Sequence, residues 1–141
     1  MRPSVLALLV NTAFITNFAW EMTQAPFFAN IADERFLSHA LMCLAATLGD
    51  LLILAVTYSG VALLVRDPGW IGRPRAGRLA AWIVLGLAAT VVLERNALAS
   101  GRWQYSASMP VVAGVGLVPL AQWIIIPLLI VAVARAAVTV Q

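Results

Sequence analysis

The sequence predicts an all-α fold: a polytopic membrane bundle of four helices, in one domain, with both termini on the cytoplasmic side. Three observations lead there. Of 141 residues, 62% are hydrophobic and only 11% charged, where a soluble domain carries about 25% charged residues. Mean hydropathy is +0.94. The apolar residues fall in four long runs, each near the ~20 residues that a helix needs to cross a bilayer.

The first run covers residues 3–20, and its helix is expected to continue to residue 24. A cleaved signal peptide is its rival. The run ends in Asn17, Phe18, Ala19, Trp20, Glu21 and Met22, without the small-x-small site that cleavage needs, so it is expected to stay as helix one. The second span covers residues 36–65, with Asp50 as its only acid, and stops at Arg66, Asp67, Pro68, Gly69. Its length implies tilt or an overhanging end. The third covers residues 79–98, follows the basic stretch Arg73, Pro74, Arg75, Ala76, Gly77, Arg78 and carries Glu94 and Arg95 near its exit. The fourth, residues 111–134, has no charge, and Pro119 and Pro127 are expected to bend it.

Orientation follows from the arginines, which supply all nine basic residues. Arg2, Arg66, Arg73, Arg75, Arg78 and Arg135 fall on one side, and Arg35, Arg95 and Arg102 on the other, near Asp33 and Glu34. The positive-inside rule places the richer side in the cytoplasm, giving a multi-pass protein of the bacterial inner membrane with both termini inside. The pI near 10.0 therefore reports topology, not nucleic-acid binding, because the net charge is only +3 and the arginines are scattered. Without lysine there is no Schiff-base chemistry. One cysteine, Cys43, and one histidine, His39, exclude an internal disulfide, a CxxC pair and a multi-histidine metal site. No cofactor is expected, and metal binding at Glu21, His39 and Glu94 lacks diagnostic spacing. Serine hydrolysis and aspartyl proteolysis lack a nucleophile motif and a second mid-span acid.

At ~1.5 Å rise per residue, Asp50 lies roughly 20 Å below Phe36, near the middle of a ~30 Å core. Counting in the same way from the ends of their spans puts Gln122 and Asn11 at that level, so these three polar residues are expected to meet. An ionised Asp at such depth costs about 2.5–3.5 kcal/mol. It is protonated, hydrogen-bonded or facing a wet cavity. Two roles stay open for it: a working residue, or a structural clasp beside Gly49, where helices approach closely. At about 100° per residue, Cys43, Asp50 and Thr57 align with His39 in one polar stripe expected to face the bundle.

A second polar layer is expected at the outer boundary. Asn17, Trp20, Glu21 and Gln24 share a face of helix one, and Glu94, Arg95, Arg102, Trp103 and Tyr105 reach the same level. Trp, Tyr, Glu and Arg also gather at interfaces for amphipathic reasons. Together, however, two carboxyls on separate helices under aromatic cover form a candidate site for a polar headgroup or for general-acid work. Glu21, Glu94 and Asp50 are the candidate catalytic residues. Asn17, Trp20, Gln24, His39, Arg95, Trp103, Tyr105, Gln122 and Trp123 are the candidate ligand-binding residues.

The stretch Glu94, Arg95, then Gly101, Arg102, Trp103, Gln104, Tyr105, Met109, Pro110, and Gly114 to Pro119 with Gln122 and Trp123, resembles the bacterial and archaeal lycopene cyclases and carotenoid hydratases. The resemblance covers residues 94–123, with an echo in Asn17, Trp20, Glu21 and Pro26. Those cyclases carry a Pro-x-Glu-Glu motif where this chain has Pro119, Leu120, Ala121, Gln122 and Trp123. The chain also resembles small bacterial integral membrane proteins with a Trp-Glu, Gly-Asp, Trp-x-Tyr pattern, which implies no activity. The first resemblance implies a carotenoid-like substrate. Protonating its double bond takes a neutral carboxylic acid, Glu94 or Glu21, and the faces of Trp20, Trp103 and Tyr105 would stabilise the carbocation. The Gly-rich start of span four would leave room for a polyene.

Three functions follow as expectations. The first is binding or acid-catalysed transformation of an isoprenoid-like ligand taken from membrane lipid. The second is a non-catalytic assembly subunit with a membrane-complex or homo-oligomer partner. The third is a small proton-coupled transporter, set lower because Glu21 sits at a helix end.

Overall fold

A computed structural model describes residues 3–29 and 35–139. Arg2, Asp33 and Glu34, used above for orientation, lie outside the described residues. Four helices, α1 (Pro3–Gln24), α2 (Phe36–Val65), α3 (Ala76–Ala99) and α4 (Leu117–Thr139), carry the fold. Each is long and apolar enough to cross a membrane. They form a ring in which α1 and α3 each pack against α2 and α4.

Each inward stripe follows helical spacing. Val5, Leu9, Ala13 and Asn17 are buried on α1, Leu54, Thr57 and Val61 on α2, and Trp82, Gly86, Thr90 and Glu94 on α3. The outer surface differs from that of a soluble bundle. Leu37, Leu48, Leu52, Leu63 and Leu64 are exposed, while Asn17, Thr47, Glu94 and Gln122 are buried. In lipid, apolar side chains gain nothing by turning inward, and polar ones gain partners there. Thr47 and Thr57 satisfy their hydroxyls on carbonyls of their own helix, Cys43 at 2.8 Å and Ile53 at 2.7 Å.

The helix ends have local causes. Arg66 closes α2 in the left-handed conformation at φ 51°, with Pro68 and Gly69 beyond. α3 starts three residues earlier than hydropathy indicates, because its first turn is anchored: Arg78 pairs with Asp67 at 2.9 Å, and Arg75 O accepts from the N–H groups of Arg78 and Leu79. Below it, Tyr58 stacks on Trp70 and Trp82 meets both edge-on, with centroids 5.4–6.0 Å apart, and Trp82 Nε1 donates to Thr57 Oγ1 at 3.0 Å.

The fourth span differs most from expectation. Residues 111–116 are not helix. They form an antiparallel hairpin, β1 (Val111–Val112) and β2 (Val115–Gly116), with Val112 opposite Val115. Its turn residues Ala113 and Gly114 both have positive φ, 50° and 79°, which the tight turns favoured between twisted strands require. α4 therefore begins at Leu117. Pro119 falls in its first turn, where a missing N–H costs nothing, and Pro127 lies inside the helix. Of the hairpin's two glycines, Gly114 faces open space and Gly116 is close-packed. A Cβ on Gly116 would stand 3.0 Å from Met109 Sδ.

Candidate functional site

Two loops fold over the end of the bundle opposite the Arg66–Arg78 connection. After α1 the chain makes a short 3-10 turn (Ala25–Phe27) and Phe28 pairs with Tyr105 in an antiparallel bridge. Ala29 N–H donates to Gln104 O and Ser106 N–H to Phe27 O, both at 2.9 Å. Phe28 thereby meets Trp103 edge-on at 6.2 Å and Tyr105 at 5.6 Å, forming an aromatic roof. Arg102 lies over the Trp103 ring, 6.0 Å from its centroid.

Under this roof is a cavity of about 480 Å3. Glu21 from α1, Asp50 from α2 and Glu94 from α3 all line it, together with Gln122 and Trp123 from α4. Gln122 Nε2 donates to Asn17 Oδ1 at 2.9 Å and to Asp50 Oδ2 at 2.7 Å. The Glu21 carboxyl accepts from Gln24 Nε2 at 2.7 Å and lies beside the Asp50 carboxyl. Two carboxyls can hydrogen-bond to each other only when one carries a proton, since the ionised form is an acceptor alone. On the far wall the Tyr105 hydroxyl donates to Glu94 Oε2 and accepts from Gly116 N–H at 2.8 Å. Burial, and then the bond to Glu94, hold the Tyr105 phenol above the ordinary tyrosine range. The Trp103 indole N–H is turned toward Glu94 without meeting hydrogen-bond geometry.

The cavity is open on one side. Met42, Ala45, Ala46 and Gly49 of α2 and Leu93 of α3 line it and are exposed, so the gap between these two helices faces the apolar surroundings of the bundle. A Cβ on Gly49 would have no heavy atom within 4 Å. Gly49 thus borders an opening and does not serve helix approach. The close approach is at Gly86 instead, where a Cβ would fall 2.1 Å from Trp123 Cε3. A second hollow, about 330 Å3 between α1 and α2, is lined by apolar side chains and Tyr58 and offers no acid.

The two polar layers expected from the sequence are one. Asn17, Glu21, Asp50, Glu94 and Gln122 converge. Asn11 is exposed, and Asn17 takes the place beside Gln122. The discrepancy has a simple origin: counting depth from helix ends assumes that all spans end in one plane, whereas α2 overhangs, with Phe36 77% and Leu37 70% exposed. The stripe on α2 does turn inward, with Cys43 and Asp50 on the cavity wall and Thr57 buried below it.

The remaining candidates lie elsewhere. His39 is half-buried on the overhang, away from the cavity lining, and its Nε2 has no partner among the described residues. Trp20 packs against the hydrophobic core. Arg95 is exposed and donates to Ala113 O at 3.2 Å, bracing the hairpin. Phe28, Met42, Thr90 and Leu93 line the cavity without having been singled out from the sequence. Only the bulky pair Phe27 and Phe28 after Pro26 offered a signal. Among the described residues no three His, Cys, Asp or Glu side chains are placed to hold a metal ion.

Compared with known protein families, with curated proteins and with solved structures, the chain matches none.

Proposed function

We propose that the chain is a small integral membrane protein that takes a hydrophobic, isoprenoid-like ligand from the bilayer and acts on it with a carboxylic general acid. The observation that carries this reading is the convergence of three carboxyls, from three helices, on one cavity open toward the lipid-facing side. Acids in membrane spans are costly to retain unless they serve a purpose, and a mostly apolar cavity of this size falls in the range of ligand sites. The isoprenoid class itself rests on the likeness of residues 94–123 to carotenoid-processing proteins. The positive-inside rule orients the bundle with both termini in the cytoplasm of a bacterial inner-membrane protein and the roofed cavity toward the outer side.

In this mechanism Glu94 is the acid. Tyr105 positions it by holding one oxygen, and the proton moves from the other oxygen to an alkene carbon, whose π pair forms the new C–H bond. The resulting carbocation lies near the faces of Phe28 and Trp103, which attract it as π-systems attract cations. A carbon next to the cation then releases a proton to the Glu94 carboxylate, which restores the acid and leaves a net isomerisation; where a second alkene of the same chain first adds its π pair to the cation, the new C–C bond makes the net change a ring closure. Expression in a polyene-producing host, followed by chromatography of extracted lipids, tests this. The expected result is a new product with the wild-type chain and none with Glu94→Gln at equal protein level. Identical profiles with and without the wild-type chain would refute it.

A second reading, a non-catalytic assembly subunit, is favoured by the bonds from Gln122 to Asn17 and Asp50, which tie α1, α2 and α4 together. It predicts a partner that co-purifies in mild detergent and is lost when the clasp is removed.

A further inference from the structure

The donors and acceptors around the cavity are unequal. Three carboxyls face it, and both hydrogens of Gln122 Nε2 are already given to Asn17 and Asp50. Gln24 also lines it, is only 6% exposed, donates its amide to Glu21, and leaves Oε1 without a partner among the described residues. A buried acceptor left unsatisfied costs free energy that a donor can recover. On the cavity wall, Arg102 is the one cationic side chain among the described residues, against three acids. An anionic headgroup would meet carboxyls on three sides. A cationic one would lie beside Arg102 and meet carboxyls already supplied with donors, Glu21 by Gln24, Asp50 by Gln122 and Glu94 by Tyr105. A neutral donor meets neither obstacle.

We infer that the ligand is a single-chain lipid alcohol, its hydroxyl donating to the Glu21, Gln24 and Asp50 group and its chain leaving between α2 and α3 past Gly49. This rests on the ligand-binding reading above and adds the class of the polar end. Size agrees. About 480 Å3 encloses one end of a long chain, and the exposed Met42, Ala46 and Leu93 give the remainder an apolar path outward.

The test uses the full chain in phosphatidylcholine nanodiscs with three radiolabelled probes of one chain length: geranylgeraniol, geranylgeranylamine and geranylgeranyl phosphate. The alcohol is expected to bind at least tenfold tighter than either charged probe. Gln24→Leu should remove most of that preference. Gly49→Leu, whose Cβ meets no heavy atom within 4 Å, should weaken alcohol binding about tenfold or more without lowering thermal stability. Equal or tighter binding of the phosphate or the amine would overturn the inference while leaving a lipid-binding cavity intact, as would unchanged affinity in the Gly49 variant. Failure of all three probes to bind would overturn both this inference and the ligand-binding reading.

Discussion

Gln122 occupies the position where the resemblance to carotenoid cyclases would place an acid, and its amide does something that an acid could not: it donates twice, to Asn17 and to Asp50. Replacing it with leucine removes the donor that buried Asn17 Oδ1 and the Asp50 carboxyl share. Gln122→Leu is expected to cost about 1–3 kcal/mol, the penalty for orphaned buried groups, read as earlier unfolding in mixed micelles with sodium dodecyl sulfate. Adding Asn17→Leu should cost little more, because the two share one interaction. Tyr105 offers a pH signature. A phenol that holds its proton more tightly when folded contributes stability below the ordinary tyrosine value near 10, and that contribution is lost as pH rises through the higher folded value. The chain has two tyrosines, so a Tyr58→Phe background isolates Tyr105. Its tyrosinate absorbance should stay absent as pH passes 10 and then rise together with unfolding. Titration near 10 with no change in stability would contradict the bond to Glu94.

At the scale of elements, what the sequence made legible was whatever depends on periodicity. The inward face of α2 follows from the spacing of Cys43, Asp50 and Thr57, and the stop at Arg66, Asp67, Pro68, Gly69 follows from backbone chemistry alone. Contacts between distant segments were not legible. Nothing local indicates that Phe28 would bridge to Tyr105, or that the overhang of α2 would bring Asp50 level with Glu21. The hairpin at residues 111–116 was masked by hydropathy, since valines suit a strand and a span equally. Its signal was Ala113-Gly114 between paired valines. The α3–α4 contact depends on Gly86, against which Trp123 lies. Gly86→Ala is expected to destabilise by about 1–3 kcal/mol through overpacking, measured in the same micelle titration. Gly60→Ala on α2, where a Cβ meets nothing within 4 Å, should be neutral or stabilising by up to about 1 kcal/mol. Equal effects at the two positions would show that the helices do not approach as described.

For the whole molecule, large apolar residues cover the outer faces, an apolar core fills part of the interior, and the acids meet near one end of the bundle under a roof built from two loops. This asymmetry separates the two hollows. The apolar one between α1 and α2 can be filled by lipid with no chemical consequence, whereas the roofed one gathers every acidic side chain of the described spans. The proposed function therefore depends on a geometric fact, that Glu21 and Asp50 stand side by side although depth counted along the helices would put Asn11 at Asp50's level. Cross-linking tests it directly. In a Cys43→Ala background, Glu21→Cys with Asp50→Cys should be joined within one chain by a short bifunctional thiol reagent, and Asn11→Cys with Asp50→Cys should not. Cross-linking of the Asn11 pair in preference to the Glu21 pair would contradict the shared carboxyl cavity and the ligand chemistry built on it.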